Sequence, residues 1–163
     1  MNATGADKRA ANVLMALTYA VAAAGIGFGF SALSDADPDL GLAALLAVGA
    51  GGILSFVRHA VFHRADAARI GWTAERTNPF QIEVGLANLA WGLFAVLAVA
   101  LNWGLVAEAA GFIVFGLYMG TVAIFEVVIS RGHNARPWVQ VIPAAAFAVL
   151  LLVIGVQGMN AAG

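Results

Sequence analysis

The chain lacks cysteine altogether and carries very few charged side chains. None of its 163 residues is cysteine, 10% are Asp, Glu, Lys or Arg, and 62% are hydrophobic. The absence of cysteine excludes disulfides, thiolate metal ligands and a cysteine nucleophile. A soluble domain carries about a quarter charged residues, so this composition predicts an integral membrane protein in a lipid bilayer. The formal net charge of −1 gives no electrostatic reason to expect a nucleic-acid partner.

Five segments are apolar over the length that a bilayer-spanning helix needs, about 20 residues. They cover approximately 11–33, 40–63, 79–102, 104–130 and 138–160. We therefore predict an all-α fold, a polytopic transmembrane helix bundle of about five spans, with residues 1–163 forming a single integral membrane domain. The count of five depends on dividing 79–130 at Asn102, and four spans with one re-entrant segment are the alternative.

The positively charged residues fall on alternate connections between these spans. The eight are Lys8, Arg9, Arg58, Arg64, Arg69, Arg76, Arg131 and Arg136. The connections at 34–39 and around Asn102, and the tail after the fifth span, contain neither Lys nor Arg. Because connections rich in Lys and Arg stay in the cytoplasm, we predict a cytoplasmic N-terminus and a C-terminus outside.

The third span begins with polar residues that an apolar helix rarely contains. Asn78 and Pro79 are typical of a helix N-cap and first helical position. Glu83 then lies roughly 7 Å along the helix axis, just below the cytoplasmic interface. It would favour the start of the helix and pair with a nearby arginine, and this structural interpretation stays open. Further along, Asn88 shares one helix face with two glycines, as a packing face would.

Three predicted helices bring ionisable groups to about the same depth near the cytoplasmic side. His59 and His63 end the second span, Glu83 begins the third, and Glu126 lies near the end of the fourth. Ionisable side chains inside a membrane usually face a partner or a water-filled cavity. We therefore predict a polar site at this level, formed by His59, Glu83, Asn88 and Glu126.

The same residues fit two kinds of chemistry. Imidazole and carboxylate groups are ligands for zinc, iron or manganese, so a divalent metal is a candidate cofactor. The candidate ligands are His59, His63, Glu83 and Glu126. Histidine also titrates near neutral pH, so a proton relay is equally compatible. The two histidines have the i, i+4 spacing of a zinc-protease helix but lack the Glu directly after the first, so whether the protein is an enzyme stays open.

Residues 69–92 read RIGWTAERTNPFQIEVGLANLAWG, in which Ile-Gly-Trp precedes Pro-Phe-Gln-x-Glu-x-Gly-x-Ala-Asn. This segment resembles a signature in a family of small bacterial multi-spanning membrane proteins of unknown function. A His near the end of that family's preceding span is matched here by His59. The resemblance implies a multi-pass protein of the bacterial inner membrane and supplies no activity.

The leading functional prediction is binding or translocation of a small solute or ion through the cytoplasmic polar site. Glu83 would be the titrating group, and a bundle of this size would need to form a homo-oligomer. One alternative is a metal-dependent membrane enzyme that uses the same side chains as ligands. The other is an accessory subunit whose glycine faces pack against a partner membrane protein.

Overall fold

The computed structural model describes residues 5–69, 79–129 and 138–163, and the regular structure within those ranges is helical. The helices are α1 (Gly5–Ala32), α2 (Gly41–Val61), α3 (His63–Arg69), α4 (Pro79–Ala100), α5 (Leu105–Ile129) and α6 (Trp138–Ala161). All except α3 are long and apolar enough to cross a membrane. The predicted all-α bundle of five spans is therefore confirmed. Residues of the predictions that lie outside the described ranges are Ile70, Gly71, Trp72, Arg76, Asn78, Arg131 and Arg136.

Consecutive membrane-spanning helices run in opposite directions, so the chain returns repeatedly to the same two ends. We call the end where α1 begins, α2 ends and α4 begins the basic end, after the cations of those connections. The other end holds the connections at 33–40 and 101–104. In the second of these, Asn102 and Gly104 both adopt positive φ, 51° and 83°, which closes a tight turn between α4 and α5.

Helices α2 and α4 pack through glycines that allow their backbones to touch. A methyl group added at Gly52 would lie 2.5 Å from the Asn88 carbonyl oxygen and 2.9 Å from the Gly92 nitrogen. Towards the basic end, a methyl group at Gly85 would lie 3.0 Å from the Ala60 Cβ. Since lipid provides no hydrophobic drive for helix association, such close backbone approach is a main source of packing energy in membranes.

Helices α5 and α6 form a second extensive pair in the bundle, again through glycines. Gly116 lies against Leu152, and a methyl group at Gly155 would come within 3.0 Å of the Ala109 carbonyl oxygen. Helix α1 uses Gly25 and Gly29 in the same way, against Ala47 of α2 and Ile154 of α6. These contacts join the two helix pairs and α1 into one bundle.

The centre of the bundle is filled by apolar side chains that are almost completely buried. The largest of them are Leu40, Val48, Phe112, Leu151 and Ile154. Small residues such as Ala47 of α2 and Ala95 of α4 belong to the same cluster. We call this apolar cluster the dry layer.

Helix α2 is irregular, because two of its segments are wound as π-helix. These are Leu45–Ala50 and Val57–Val61, separated by the α-helical Gly51–Phe56. The second π segment ends at Phe62, whose φ of −98° and ψ of 25° leave the helical region. Short π segments occur frequently at functional sites, and this one supplies the polar residues described next.

Candidate functional site

Asp66 of α3 is the most deeply buried charged side chain in the described chain, with 1% of its surface exposed. Its Oδ2 lies 2.9 Å from His59 Nδ1 and accepts a hydrogen bond of 2.9 Å from Gln81 Nε2. Its Oδ1 lies 3.6 Å from an Arg58 guanidinium nitrogen. A buried carboxylate is tolerated only when ion pairs and hydrogen bonds replace water. We call Arg58, His59, Asp66 and Gln81 the Asp66 cluster.

The contacts within the Asp66 cluster determine which imidazole nitrogen of His59 carries hydrogen. Arg58 Nη2 lies 2.8 Å from His59 Nε2. An arginine can only donate, so Nε2 accepts this hydrogen bond. The hydrogen of a neutral imidazole is then on Nδ1, the nitrogen that faces Asp66. Arg58, His59 and Asp66 therefore form a chain of polar contacts, in which the His59 imidazole lies next to the Asp66 carboxylate.

Local chain geometry explains how residues from three helices reach the Asp66 cluster. Beyond the π segment of α2 the chain turns at Phe62, and α3 folds back so that Asp66 approaches His59. His63 stabilises this turn, since its Nδ1 lies 3.0 Å from the carbonyl oxygen of Ala60. On α4, the absence of a side chain at Gly85 lets the helix approach the Ala60 backbone and the His59 Cβ closely, which brings Gln81, one turn earlier on α4, to Asp66.

The sequence-predicted polar site is only partly brought together. His59 belongs to the Asp66 cluster, whereas the Glu83 side chain is exposed on the other side of α4. Asn88 is buried about two turns further along α4, where its Nδ2 donates to Val84 O at 2.8 Å and to the Tyr118 hydroxyl at 3.4 Å. Asn88 therefore forms a separate polar contact at mid-bundle, between α4 and α5.

Glu126 lies on α5, whose main contacts with α2 involve residues 41–50, far from the turn that carries His59. Its Oε2 is inaccessible to solvent and has no hydrogen-bond partner in the described part of the chain. Within the described residues there is no group of three or more His, Asp and Glu side chains placed to hold a metal ion. Metal binding by His59, His63, Glu83 and Glu126 stays a prediction, and it would require these residues to move together.

Asp66 is the functional candidate that the sequence interpretation missed. The segment HRADAAR reads as a basic connection, and α3 is too short to give a periodic pattern. A usable signal was present, because Asp66 is the one acidic residue between Arg58 and Arg69. Gln81, in the first turn of α4, is 4% exposed and donates to Asp66.

A second buried carboxylate lies at the opposite end of the bundle. Glu108 of α5 is 8% exposed, and its Oε1 lies beside the start of α2. There the backbone N–H of Gly41 donates to Asp39 Oδ1 at 2.7 Å. The dry layer separates this carboxylate from the Asp66 cluster, so the described side chains do not connect the two ends through polar contacts.

The fold and the buried charges define a class, that of small five-span helical membrane proteins with a charged cluster at one end. The model of a family described as "Family of unknown function (DUF6790)" matches residues 10–156. The match covers most of the chain, so the protein belongs to that family, and the expectation of an uncharacterised family is met. No curated protein matches the chain, and no solved structure does.

Proposed function

We propose that the protein binds or moves a small solute or ion through its basic end, and that protons themselves pass through the Asp66 cluster under a driving potential. The observation that carries this proposal is the 2.9 Å contact between a nearly fully buried carboxylate and an imidazole. Ionisable groups at membrane depth typically mark ion pathways or proton relays, and histidine changes its charge in the physiological range. The predicted orientation would place this cluster on the cytoplasmic side.

In this proposal Asp66 takes the role first predicted for Glu83. A titrating group that drives transport must lie in a protected pathway, where its proton exchanges with a defined partner. Asp66 meets that condition through His59, whereas Glu83 is exposed. The dry layer means that protons reach the cluster from the basic end in this conformation, and transfer to the opposite end would require that layer to open. No contact in the described chain favours the metal-dependent enzyme.

Proton flux into liposomes tests this proposal directly. The purified protein is reconstituted with an enclosed pH-sensitive dye, and a potassium diffusion potential set by valinomycin drives protons inward. We expect faster acidification than in protein-free liposomes, loss of that difference in Asp66→Asn, and an unchanged rate in the matched variant Glu83→Gln. His59→Gln serves as a second cluster variant, and circular dichroism confirms the folding of each protein.

Two results would count against the proposal. A wild-type rate equal to that of protein-free liposomes would mean that the protein moves no protons under a driving potential. Equal rates in wild-type protein and folded Asp66→Asn would mean that protons move without the cluster.

A further inference from the structure

A slot between α4 and α5 is a feature of the bundle that the Asp66 cluster does not use. The two helices are consecutive, but α4 packs mainly on α2 and α5 mainly on α6. The gap left between them contains a cavity of about 60 Å³ lined by Trp91, Phe94, Gly111 and Val114. We call it the α4–α5 slot.

The exposed surface of the slot is apolar, which favours an apolar ligand. Aromatic pairs lie at both of its ends. Phe94 packs on Trp103 with ring centroids 5.9 Å apart, and Trp91 packs on Tyr118 at 6.4 Å. Apolar cavities of this kind stay dry and accept apolar ligands.

The slot is open towards the surface that the bilayer covers. Val114 lines the slot and is itself 40% exposed. The neighbouring Leu93, Leu97 and Leu117 are also exposed, as expected for lipid-facing positions of membrane spans. Trp91 lies roughly 18 Å along α4 from the basic end, which places the slot at the depth of hydrocarbon chains and not of headgroups.

We infer that the α4–α5 slot binds the acyl chain of a bilayer lipid. Gly111 makes the room for it: a methyl group there would lie 3.3 Å from Phe94 Cε1, so any larger side chain would enter the space between the helices. An acyl chain fits because it is apolar, flexible and narrow enough to place one or two methylene groups between the rings. This inference is independent of proton exchange at the Asp66 cluster.

Tryptophan quenching by brominated lipid tests this inference. In a protein that retains Trp91 alone (Trp72→Phe, Trp103→Phe, Trp138→Phe), we measure fluorescence in vesicles of phosphatidylcholine brominated midway along the acyl chain. We expect strong quenching, and a reduction of at least roughly twofold once Gly111→Val fills the slot. The control Gly27→Val adds the same side chain on α1, where a methyl group meets nothing within 4 Å, and should leave quenching unchanged.

Val114→Phe narrows the slot from its other wall and replaces Gly111→Val if that variant does not fold. Equal quenching in wild-type and filled proteins would overturn the inference, because bromine would then reach Trp91 without entering the slot. Quenching that falls as the protein-to-lipid ratio rises would also overturn it. That result would indicate that a side chain of a second copy takes the place of the lipid.

Discussion

The interface between α2 and α4 has two halves that pack alike and differ in chemistry. In both halves glycines let the backbones touch, through Gly52 in one and Gly85 in the other. Around Gly52 the neighbours are the backbones of Asn88 and Gly92. Around Gly85 they are His59 and Gln81, which hold Asp66. Close packing therefore serves two purposes in one interface: it excludes water from the middle, and it positions polar groups at the basic end.

The largest effect is expected from disturbing the half around Gly52. Gly52→Ala places a methyl group 2.5 Å from the Asn88 carbonyl oxygen, and a backbone atom of a packed helix cannot move aside cheaply. Overpacking costs about 1–3 kcal/mol or more, and we expect the upper part of that range. Thermal unfolding in detergent, followed by circular dichroism, measures the loss.

Gly51→Ala is the matched control for this variant. Its methyl group would meet only the Leu46 carbonyl oxygen, at 3.8 Å, so the unfolding temperature should stay close to that of the wild type. Similar destabilisation by both substitutions would show that the loss comes from glycine replacement in an irregular helix and not from the α2–α4 contact.

The second effect concerns the polar half and its buried charge. Asp66→Ala removes the carboxylate that faces Arg58 and His59, and loss of one partner from a buried charge pair costs about 3–5 kcal/mol in soluble proteins. Energies of polar contacts between membrane helices are smaller on average, so we expect a lower value, below that of Gly52→Ala. Asp37→Ala, at an exposed position in the opposite connection, should be neutral. Comparing the unfolding temperatures of the two variants under identical conditions shows whether Asp66 stabilises the basic end.

These differences explain what the sequence could and could not predict. Span number follows from apolar length, and the buried face of α4 follows from the glycines, because close approach needs residues without side chains. The face of the helix on which a charged residue lies is harder to predict, since the core-facing and lipid-facing sides of a membrane helix are both apolar. The Glu83 side chain is exposed and lies outside the face of α4 that carries Gln81 to Asp66. The position of Asp66 depends on the turn at Phe62, and no periodic pattern in the sequence predicts that turn.

A smaller difference in stability is expected between variants of the two amide residues on the buried face of α4. Gln81 donates to a charged oxygen at 2.9 Å, whereas Asn88 donates to Tyr118 at 3.4 Å and to its own helix. Hydrogen bonds to charged groups contribute about 1.5–3 kcal/mol in soluble proteins, whereas polar contacts between membrane helices average about 0.6 kcal/mol. We expect Gln81→Leu to destabilise the protein more than Asn88→Leu, by thermal unfolding. The reverse order would mean that the Asn88 contact at mid-bundle stabilises the interface more than the Gln81 contact does.

The smallest effect is expected for Glu83, which lies on α4 between Gln81 and Gly85 in sequence but outside their buried face. Its side chain is exposed, and substitutions at such positions usually change stability by less than about 0.5 kcal/mol. Glu83→Gln should therefore unfold at the wild-type temperature, and Glu83→Gln combined with Asp66→Ala should unfold like Asp66→Ala alone. A double variant that differs from this sum would reveal energetic coupling between the two carboxylates. Such coupling would require α4 to rotate in another state of the protein, bringing Glu83 towards the Asp66 cluster, and would restore Glu83 as a participant in proton exchange.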